Sequence, residues 1–366
     1  MGSKIRVGIL FGGKSAEHEV SLQSAKNVID AIDKNKFEVT LIGIDKSGRW
    51  YLNDASRFLL HADDPKHIQM QHANEEVALV AGRQGEQLVS LATANTTDKL
   101  DVVFPILHGP LGEDGTIQGL LKLANVPFVG AGVLGSAVGM DKDVMKRLLR
   151  DAGLPIGKFI TIPVQKKNKI SFGEIVQELN SPVFIKPANM GSSVGVHRAE
   201  NEEQFNSALA DAFKYDNKVI VEEFIDGREI ECAVLGNENP VASVAGEIIP
   251  HHEFYSYEAK YIDSEGAGLQ IPADLPAEIM AQIQKCAIET FQVLNCEGMA
   301  RVDFFLQQNG KIVVNEINTI PGFTRISMYP KLWAASGVPY SILIEKLIQL
   351  AIKRFEREKN LKTEVE

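Results

Sequence analysis

The sequence predicts a mixed α/β protein, with a parallel sheet near its N-terminus and antiparallel sheets farther along. In the first third, short apolar runs alternate with segments of helical periodicity, which is the pattern of βαβ units. In the last third, strand-like runs follow one another, which is typical of an antiparallel sheet. At about 100–200 residues per domain, the 366 residues predict two or three domains.

The composition excludes several classes of function. The chain has 38 Lys and Arg against 48 Asp and Glu, a net charge of −10, so we expect no nucleic-acid partner and no anionic membrane. Its three cysteines lack CxxC spacing and predict neither a disulfide framework nor a zinc site. Neither a membrane-spanning run nor a signal peptide is evident. We therefore expect a cytoplasmic protein.

The first unit, residues 1–135, is expected to be the parallel α/β domain. Strands are predicted at 5–10, 37–44 and 101–107, and helices at 21–32 and 116–124. The stretch 53–97 is polar and weakly periodic, so we expect it to leave the core.

The second unit, residues 136–228, begins with an amphipathic helix at 140–152 that Gly153 and Pro155 end. Its apolar face is predicted to carry Met140, Val144, Leu148 and Ala152. Another face carries Lys142, Lys146 and Arg150. Strands are predicted at 183–186 and 218–223, with a helix at 202–213.

The third unit, residues 229–366, is expected to be an antiparallel sheet. Its strands are predicted at 229–235, 241–249, 298–306 and 311–317. A polar loop at 250–270 and a helix at 277–294 interrupt it, and a helix at 340–355 precedes a charged tail.

Residues Gly8–Ser15 formally match the phosphate-binding pattern GxxxxGK[ST], with Lys14 as its lysine. Ile9–Phe11, however, are apolar and belong to the predicted strand. Glu17 and Glu19 lie where a helix N-terminus would meet a polyphosphate, and their carboxylates would repel it. An acid here suits an ammonium group better, or it simply complements the helix dipole.

A predicted hairpin brings carboxylates together. Asn309-Gly310 lies between two strand-like runs and predicts a two-residue turn. That turn places Asp303 opposite Glu316 and Arg301 opposite Asn318, all on one face of the sheet. Two opposed carboxylates with an amide oxygen suit Mg2+ or Mn2+. The alternative is a solvated polar face on which Arg301 neutralises an acid.

Magnesium usually retains substrate phosphates among its ligands, which predicts a phosphate-binding loop elsewhere. Lys186 ends a predicted strand, and the Gly- and Ser-rich loop 187–195 follows it. Small residues and free backbone N–H groups suit phosphate, although most such loops are plain turns.

Together these residues resemble the ATP-grasp fold and, within it, the D-alanine–D-alanine ligase family. Three motifs, Gly12–Ser21, His108–Gly115 and Asn318–Thr324, carry the resemblance across nearly the whole chain. It implies three domains, with two ATP-grasp subdomains after the N-terminal domain. It also implies ATP-dependent joining of two D-alanines through a D-alanyl phosphate for peptidoglycan precursor synthesis, two Mg2+ or Mn2+ ions, and a homodimer.

The resemblance also implies roles for individual residues, nucleotide and metal ligands first. The ATP site is expected to comprise Lys142, Lys186, Ser192, Ser193, Glu222, Glu223, Phe224, Glu229 and Lys260. The metal ligands are expected to be Asp303, Glu316 and Asn318. Ile320 and Glu223 depart from the residues common in relatives, without putting the activity in doubt.

For the amino-acid substrates, the resemblance implies that Glu17 binds the ammonium group of the first D-alanine and that His108 contacts the same molecule. Ser192 is expected to bond Glu17 and Tyr261, closing a lid over the site. Lys260 and Tyr261 lie in the loop 250–270, and the tyrosine favours a dipeptide product. The tetrahedral oxyanion and second substrate are assigned to Arg301, Gly322 and Ser327.

Three alternatives remain open from the sequence. Another ATP-grasp carboxylate–amine ligase would share Lys186, Asp303 and Glu316 but need not share Glu17. A P-loop NTPase or nucleotide-dependent switch would depend on Lys14. An amino-acid-binding module would bind D-alanine without consuming ATP.

Overall fold

The computed structural model of the chain describes residues 3–362, except 63, 65, 72–74, 83–85, 168 and 251–266. No helix in these described parts is both long and apolar enough to cross a membrane.

The first sheet has seven strands and is parallel at its centre. The strands of this region are β1 (Ile5–Gly12), β2 (Phe37–Ile44), β3 (Trp50–Asn53), β4 (Leu59–Leu60), β5 (Gln69–Met70), β6 (Glu75–Leu79), β7 (Leu88–Ser90), β8 (Thr96–Asp98) and β9 (Val102–Ile106). Its helices are α1 (His18–Ala31), α2 (Thr116–Leu123) and α3 (Val133–Met140). The sheet order is β8-β7-β6-β3-β2-β1-β9, and β4 and β5 form a separate ribbon.

The predicted parallel arrangement is confirmed, because β1 pairs in parallel with both β2 and β9. The expectation for residues 53–97 is wrong. Strands β6, β7 and β8 lie in this stretch and extend the sheet through antiparallel pairs. Val77 and Leu88 are buried. Strands of three to five residues are too short to give a clear alternation of apolar and polar residues.

A four-stranded antiparallel sheet follows. Its elements are α4 (Lys142–Asp151), β10 (Phe159–Pro163), α5 (Phe172–Leu179), β11 (Val183–Pro187), β12 (His197–Ala199), α6 (Glu202–Ala212) and β13 (Lys218–Glu223). The strand order is β10-β13-β11-β12. The predicted strands and helix of this unit are confirmed to within two residues.

The predicted buried face of the helix at 140–152 is wrong. The helix is divided at Asp141, whose carboxylate accepts hydrogen bonds from the first turn of α4. Lys142 and Lys146 are buried, whereas Leu148 is exposed. The lysine face packs inward because carboxylates from two sheets meet it, and these partners are distant in sequence.

The third sheet has five antiparallel strands in the order β16-β15-β14-β17-β18. Its elements are β14 (Arg228–Gly236), β15 (Val241–Pro250), β16 (Ala267–Gln270), α7 (Ala277–Val293), β17 (Gly298–Leu306), β18 (Ile312–Asn318), α8 (Met328–Ala335) and α9 (Tyr340–Lys359). Residues 267–270 were expected in a loop but form β16, which pairs with β15. Helix α9 also extends beyond its predicted end.

The hairpin register is confirmed where it matters for the site. Asp303 lies opposite Glu316, and Arg301 lies opposite Asn318. The predicted two-residue turn is wrong, because Gln307 and Lys311 pair around three turn residues. A register shift between Asp303 and Phe304 compensates for the extra turn residue.

Helix α8 packs on β14 and β15 of the third sheet, and α9 contacts β9 of the first sheet and α1, which brings the two ends of the chain together. Phe323, before α8, is fully buried and meets Phe104 of β9 edge to face, with ring centroids 5.7 Å apart. From α9, the buried Arg354 donates to the carbonyl oxygens of Phe128 and Gly130. Residues that follow β18 are therefore held against the carboxyl end of β9.

Candidate active site

Two adjoining cavities lie where the three sheets meet. The larger, about 320 Å³, lies between the second and third sheets. The smaller, about 90 Å³, reaches the loops of the first sheet. Both are lined by Lys142, Ser192 and Glu316, so these residues form a wall that the two cavities share.

Glu222 lies between two lysines at one end of the larger cavity. Its Oε1 is 2.7 Å from Lys146 Nζ, and its Oε2 is 2.6 Å from Lys186 Nζ. Burial raises the pKa of Glu222, but the two ammonium groups outweigh burial and lower the pKa to about 2. Burial likewise opposes the charge of Lys186, yet Glu222 and Glu316 raise its pKa overall. Glu222 and Lys186 therefore both remain charged.

The other predicted nucleotide contacts that the structure describes line the same cavity. Phe224 is 46% exposed and stacks on Phe184, with ring centroids 6.1 Å apart, so its ring is available to a flat ligand. Glu223 directs its carboxylate to the backbone N–H of Lys158, at 2.8 Å. Glu229 completes this end of the cavity.

The loop after β11 contributes Ser192 to the wall that the two cavities share. Lys142 Nζ donates to the carbonyl oxygen of Met190 at 2.7 Å. Ser192 donates a hydrogen bond to the Glu17 carboxylate. Ser192 and Ser193 both adopt positive φ, at 51° and 60°, which costs non-glycine residues energy and is concentrated at functional sites. The loop thus bonds α4 and the start of α1 at once.

The pattern around Lys14 does not form a phosphate-binding loop. Strand β1 continues through Gly12, and Ile9–Phe11 are fully buried within it. A Cβ atom at Gly12, where φ is +89°, would lie 2.2 Å from the carbonyl oxygen of Ile44. The glycine is therefore required by close packing of the strand, and Lys14 is exposed.

The hairpin carboxylates face cationic side chains. Arg301 contacts both oxygens of Asp303 at 2.7 Å and Glu231 at 2.9 Å. Glu316 lies 3.4 Å from Lys142 Nζ. Within the described part of the chain, the buried Oδ1 of Asn318 has no hydrogen-bond partner. An orphaned oxygen beside two opposed carboxylates is a ligand set that a hard divalent cation would satisfy.

The smaller cavity combines Glu17 and Arg301 with Gly322 and Ser327. Ser327 Oγ accepts the backbone N–H of Thr324 at 3.0 Å, which fixes the turn before α8. Of the predicted substrate residues, Lys260 and Tyr261 lie outside the described residues.

His108 does not line this cavity but bonds the carbonyl oxygen of Ile320, two residues before the lining Gly322. It is buried, and burial lowers its pKa to about 4, so the imidazole is neutral at pH 7. Glu113 lines the cavity beside Glu17. Burial and then the Glu17 carboxylate raise the pKa of Glu113.

Three residues of the site were not identified from the sequence. Lys146 lies one helical turn from Lys142, a spacing that could have indicated it. Glu231 lies two residues beyond Glu229 on the same strand face and opposite Asp303. Glu113 belongs to the motif His108–Gly115, but no local pattern distinguished it from Asp114.

Comparison with protein families agrees with the geometry. Residues 6–131 match the family model described as "D-ala D-ala ligase N-terminus". Residues 148–349 match the one described as "D-ala D-ala ligase C-terminus".

Individual proteins give the same result over almost the entire length. The chain is 59% identical to a D-alanine–D-alanine ligase of Shouchella clausii, covering 99% of each chain. The D-alanine–D-alanine ligase structure from Coxiella burnetii superposes with a TM-score of 0.85 at 40% identity, covering 98% of this chain and 97% of that one. The VanG D-Ala:D-Ser ligase of Enterococcus faecalis gives 0.83 at 37%, covering 95% and 100%. This chain belongs to the D-alanine–D-alanine ligase family.

Proposed function

We propose that this chain joins two D-alanines in an ATP-dependent reaction that proceeds through a D-alanyl phosphate. The observation that carries the proposal is the wall shared by the two cavities. A nucleotide in the larger cavity and an amino acid in the smaller one would meet at Lys142, Ser192 and Glu316. This is where a γ-phosphoryl group must approach a carboxylate.

In the first step, the carboxylate of the first D-alanine attacks the γ-phosphorus in line, and ADP leaves. Glu17 binds the ammonium group of this substrate and so orients it. Lys142 and Lys186 stabilise the negative charge on the transferred phosphoryl group. The loop around Ser192, bonded to Glu17, excludes water that would hydrolyse the acyl phosphate.

Two divalent cations, Mg2+ or Mn2+, are part of the proposal. Asp303, Glu316 and Asn318 would hold them. The buried Oδ1 of Asn318, which has no hydrogen-bond partner among the described residues, supports this assignment. Such ions would neutralise charge on the phosphates.

In the second step, the free amine of the second D-alanine attacks the acyl carbon, and the bond from that carbon to the phosphate oxygen breaks. Inorganic phosphate leaves, and the nitrogen gives up one proton as the amide forms. The Arg301 guanidinium and the Gly322 N–H stabilise the oxyanion of the tetrahedral intermediate. Ser327 binds the carboxylate of the second D-alanine.

We propose D-alanine rather than D-serine or D-lactate as the second substrate. The chain is 59% identical to a D-alanine–D-alanine ligase but 37% identical to the D-Ala:D-Ser ligase, which supports this choice. The predicted contribution of Tyr261 to dipeptide formation stays a prediction.

The three predicted domains, 1–135, 136–228 and 229–366, are also part of the proposal. The three sheets with different strand orders support this division. We further place the reaction in the cytoplasm, a reducing compartment, which the three buried free cysteines support.

We propose that the protein is a homodimer that associates through its N-terminal domain. Leu123 of α2 and Leu134 of α3 are 72% and 58% exposed, and Leu120 and Val133 join them. Helices α2 and α3 pack against each other, so these side chains form one apolar patch that a second copy could cover.

The substrate assignment predicts that D-alanine stimulates phosphate release from ATP. L-alanine should support less than about 1% of that rate, because a misplaced reacting group costs about 100-fold. A coupled phosphate assay with chromatography of the product measures both. Mixed products formed equally well with D-serine or D-lactate would favour the alternative ligase, and no stimulation by D-alanine would refute ligation.

The two candidate phosphate lysines give opposite predictions. Lys186→Met should lower kcat/KM for ATP by about 100-fold or more, because a buried charge aimed at the phosphates is lost. Lys14→Met, at the exposed lysine of the P-loop-like pattern, is the matched control and should leave kcat/KM unchanged. Steady-state kinetics at saturating D-alanine distinguish them, and the reverse result would restore the P-loop hypothesis.

The metal assignment predicts that Asn318→Ala raises the Mg2+ concentration for half-maximal activity by about tenfold. This corresponds to losing one interaction with a charged partner, worth about 1.5 kcal/mol. Asn309→Ala, in the turn of the same hairpin, should not change the magnesium requirement. An unchanged magnesium titration for Asn318→Ala would remove this residue from the ligand set.

The dimer proposal predicts that the double variant Leu123→Glu, Leu134→Glu is monomeric, because burying two carboxylates in the interface is unfavourable. Size-exclusion chromatography with light scattering measures the mass. Leu91→Glu, at a leucine that is 57% exposed elsewhere, is the control and should remain dimeric. A wild-type monomer, or a dimeric double variant, would contradict the proposed interface.

A further inference from the structure

Residues 320–323, which we call the oxyanion segment, follow the third sheet in the sequence. Their backbone is nevertheless bonded by side chains of elements that belong to the first sheet's domain. The segment follows β18 and contains Gly322, whose N–H is the proposed oxyanion donor. Side chains from α1 and from the loop after β9 bond its backbone at both ends. None of these bonds was predicted from the sequence.

At the start of the oxyanion segment, both backbone polar groups of Ile320 are bonded. His108 Nδ1–H donates to the carbonyl oxygen of Ile320 at 3.1 Å. The Ile320 N–H donates to Glu113 Oε1 at 3.3 Å, and the other oxygen of Glu113 accepts the N–H of Gly109 at 2.6 Å. Glu113 thus joins the loop after β9 to the oxyanion segment.

At the end of the segment, the two backbone polar groups of Phe323 are bonded from α1. The N–H donates to Ser24 Oγ at 3.2 Å, and Asn27 donates to the carbonyl oxygen at 3.2 Å. Ser24 Oγ also lies 3.3 Å from His108 Nε2. A neutral His108 with its proton on Nδ1 can accept this hydrogen bond, so Ser24 and His108 connect the two ends.

The network is buried, and therefore each of its bonds constrains the segment strongly. Ser24, His108 and Glu113 are at most 7% exposed, and Phe323 is fully buried. Buried polar groups that lose a partner keep their desolvation cost. Burial and the neighbouring Glu17 carboxylate raise the pKa of Glu113 to about 8, so its role depends on its two oxygens and not on its charge. The carboxyl group receives one N–H on each oxygen, whereas an amide has only one acceptor oxygen.

We propose that Glu113 is a positioning residue that, together with His108 and Ser24, fixes the oxyanion segment so that the Gly322 N–H is aimed at the oxygen on the acyl carbon. The loop that carries His108 and the segment that carries Gly322 then form one rigid unit around the two substrates. The inference rests on the proposed two-step ligation and assigns Glu113 to the second step. Glu113 does not itself contact the reacting atoms in this assignment.

The test separates the two steps. Reversible formation of the acyl phosphate scrambles an ¹⁸O label from the β,γ-bridge of ATP into the non-bridging β-phosphate positions, whether or not dipeptide follows. In Glu113→Gln, we expect the ratio of label scrambling to dipeptide formation to rise by at least about tenfold, since misplacing a donor penalises only the step that uses it. The KM for ATP should stay within about twofold of wild type.

The matched control is Asp114→Asn, the same change at the next residue. Asp114 accepts the N–H groups of Leu111 and Thr116 within its own loop, and this variant should retain the wild-type ratio. Ser24→Ala, a smaller change at the other end of the segment, should raise the ratio like Glu113→Gln. It decides the question if Glu113→Gln does not fold.

The outcomes are distinguishable. Equal losses of scrambling and dipeptide in Glu113→Gln and Ser24→Ala would place the network in the first step or in general stability, and would overturn the inference. A rise in the ratio for Asp114→Asn as large as for Glu113→Gln would overturn it as well. Wild-type protein that forms dipeptide without D-alanine-dependent scrambling, even when the second step is slowed, would instead refute the acyl-phosphate mechanism on which the inference rests.

Discussion

The site depends on the buried lysine face of α4. Lys146 reaches Glu222 on the second sheet, and Lys142 reaches both Glu316 on the third sheet and the carbonyl oxygen of Met190 in the loop. One helical turn therefore connects the larger cavity to the hairpin and to the loop after β11. In the proposed reaction, the phosphates would contact Lys142 and Lys186, and the divalent cations would contact Asp303 and Glu316. Each of these four groups would then exchange one opposite charge for another, which limits uncompensated charge in the protein interior.

The same helix shows where sequence patterns mislead. Apolar spacing alone predicts Leu148 on the buried face and the lysines on a solvated one, and the structure has the reverse. The carboxylates that neutralise Lys142 and Lys146 lie 174 and 76 residues farther along the chain. No window of local sequence contains both partners. Periodicity finds a helix reliably, but which face is buried follows from the surface that receives it.

The hairpin shows a different relation between local and tertiary information. Asn309-Gly310 indicates a turn, and the opposition of Asp303 and Glu316 is confirmed, but the turn has three residues. A register shift restores the opposition, and it occurs where the Val314 N–H donates to the carbonyl oxygen of Pro155 at 2.8 Å. A hydrogen bond to a residue outside the hairpin is therefore made where the register of the two strands shifts. The position of the carboxylates survives because a bulge offsets a longer turn, which local turn chemistry does not reveal.

The three motifs are distant in the sequence but are neighbours in the structure. The resemblance identified the motifs, whereas the bonds that join the second motif to the third are seen only in the structure. Glu17 of the first motif bonds the loop serine Ser192, and His108 and Glu113 of the second bond the backbone of Ile320 in the third. Because these bonds at Ile320 are to backbone atoms, they do not depend on which side chain is present at that position. The structure also shows where part of the net charge of −10 is located. Several of the acids lie inside the site against Lys142, Lys146, Lys186 and Arg301, so an acidic overall charge disfavours anionic polymers as partners but does not exclude an anionic nucleotide.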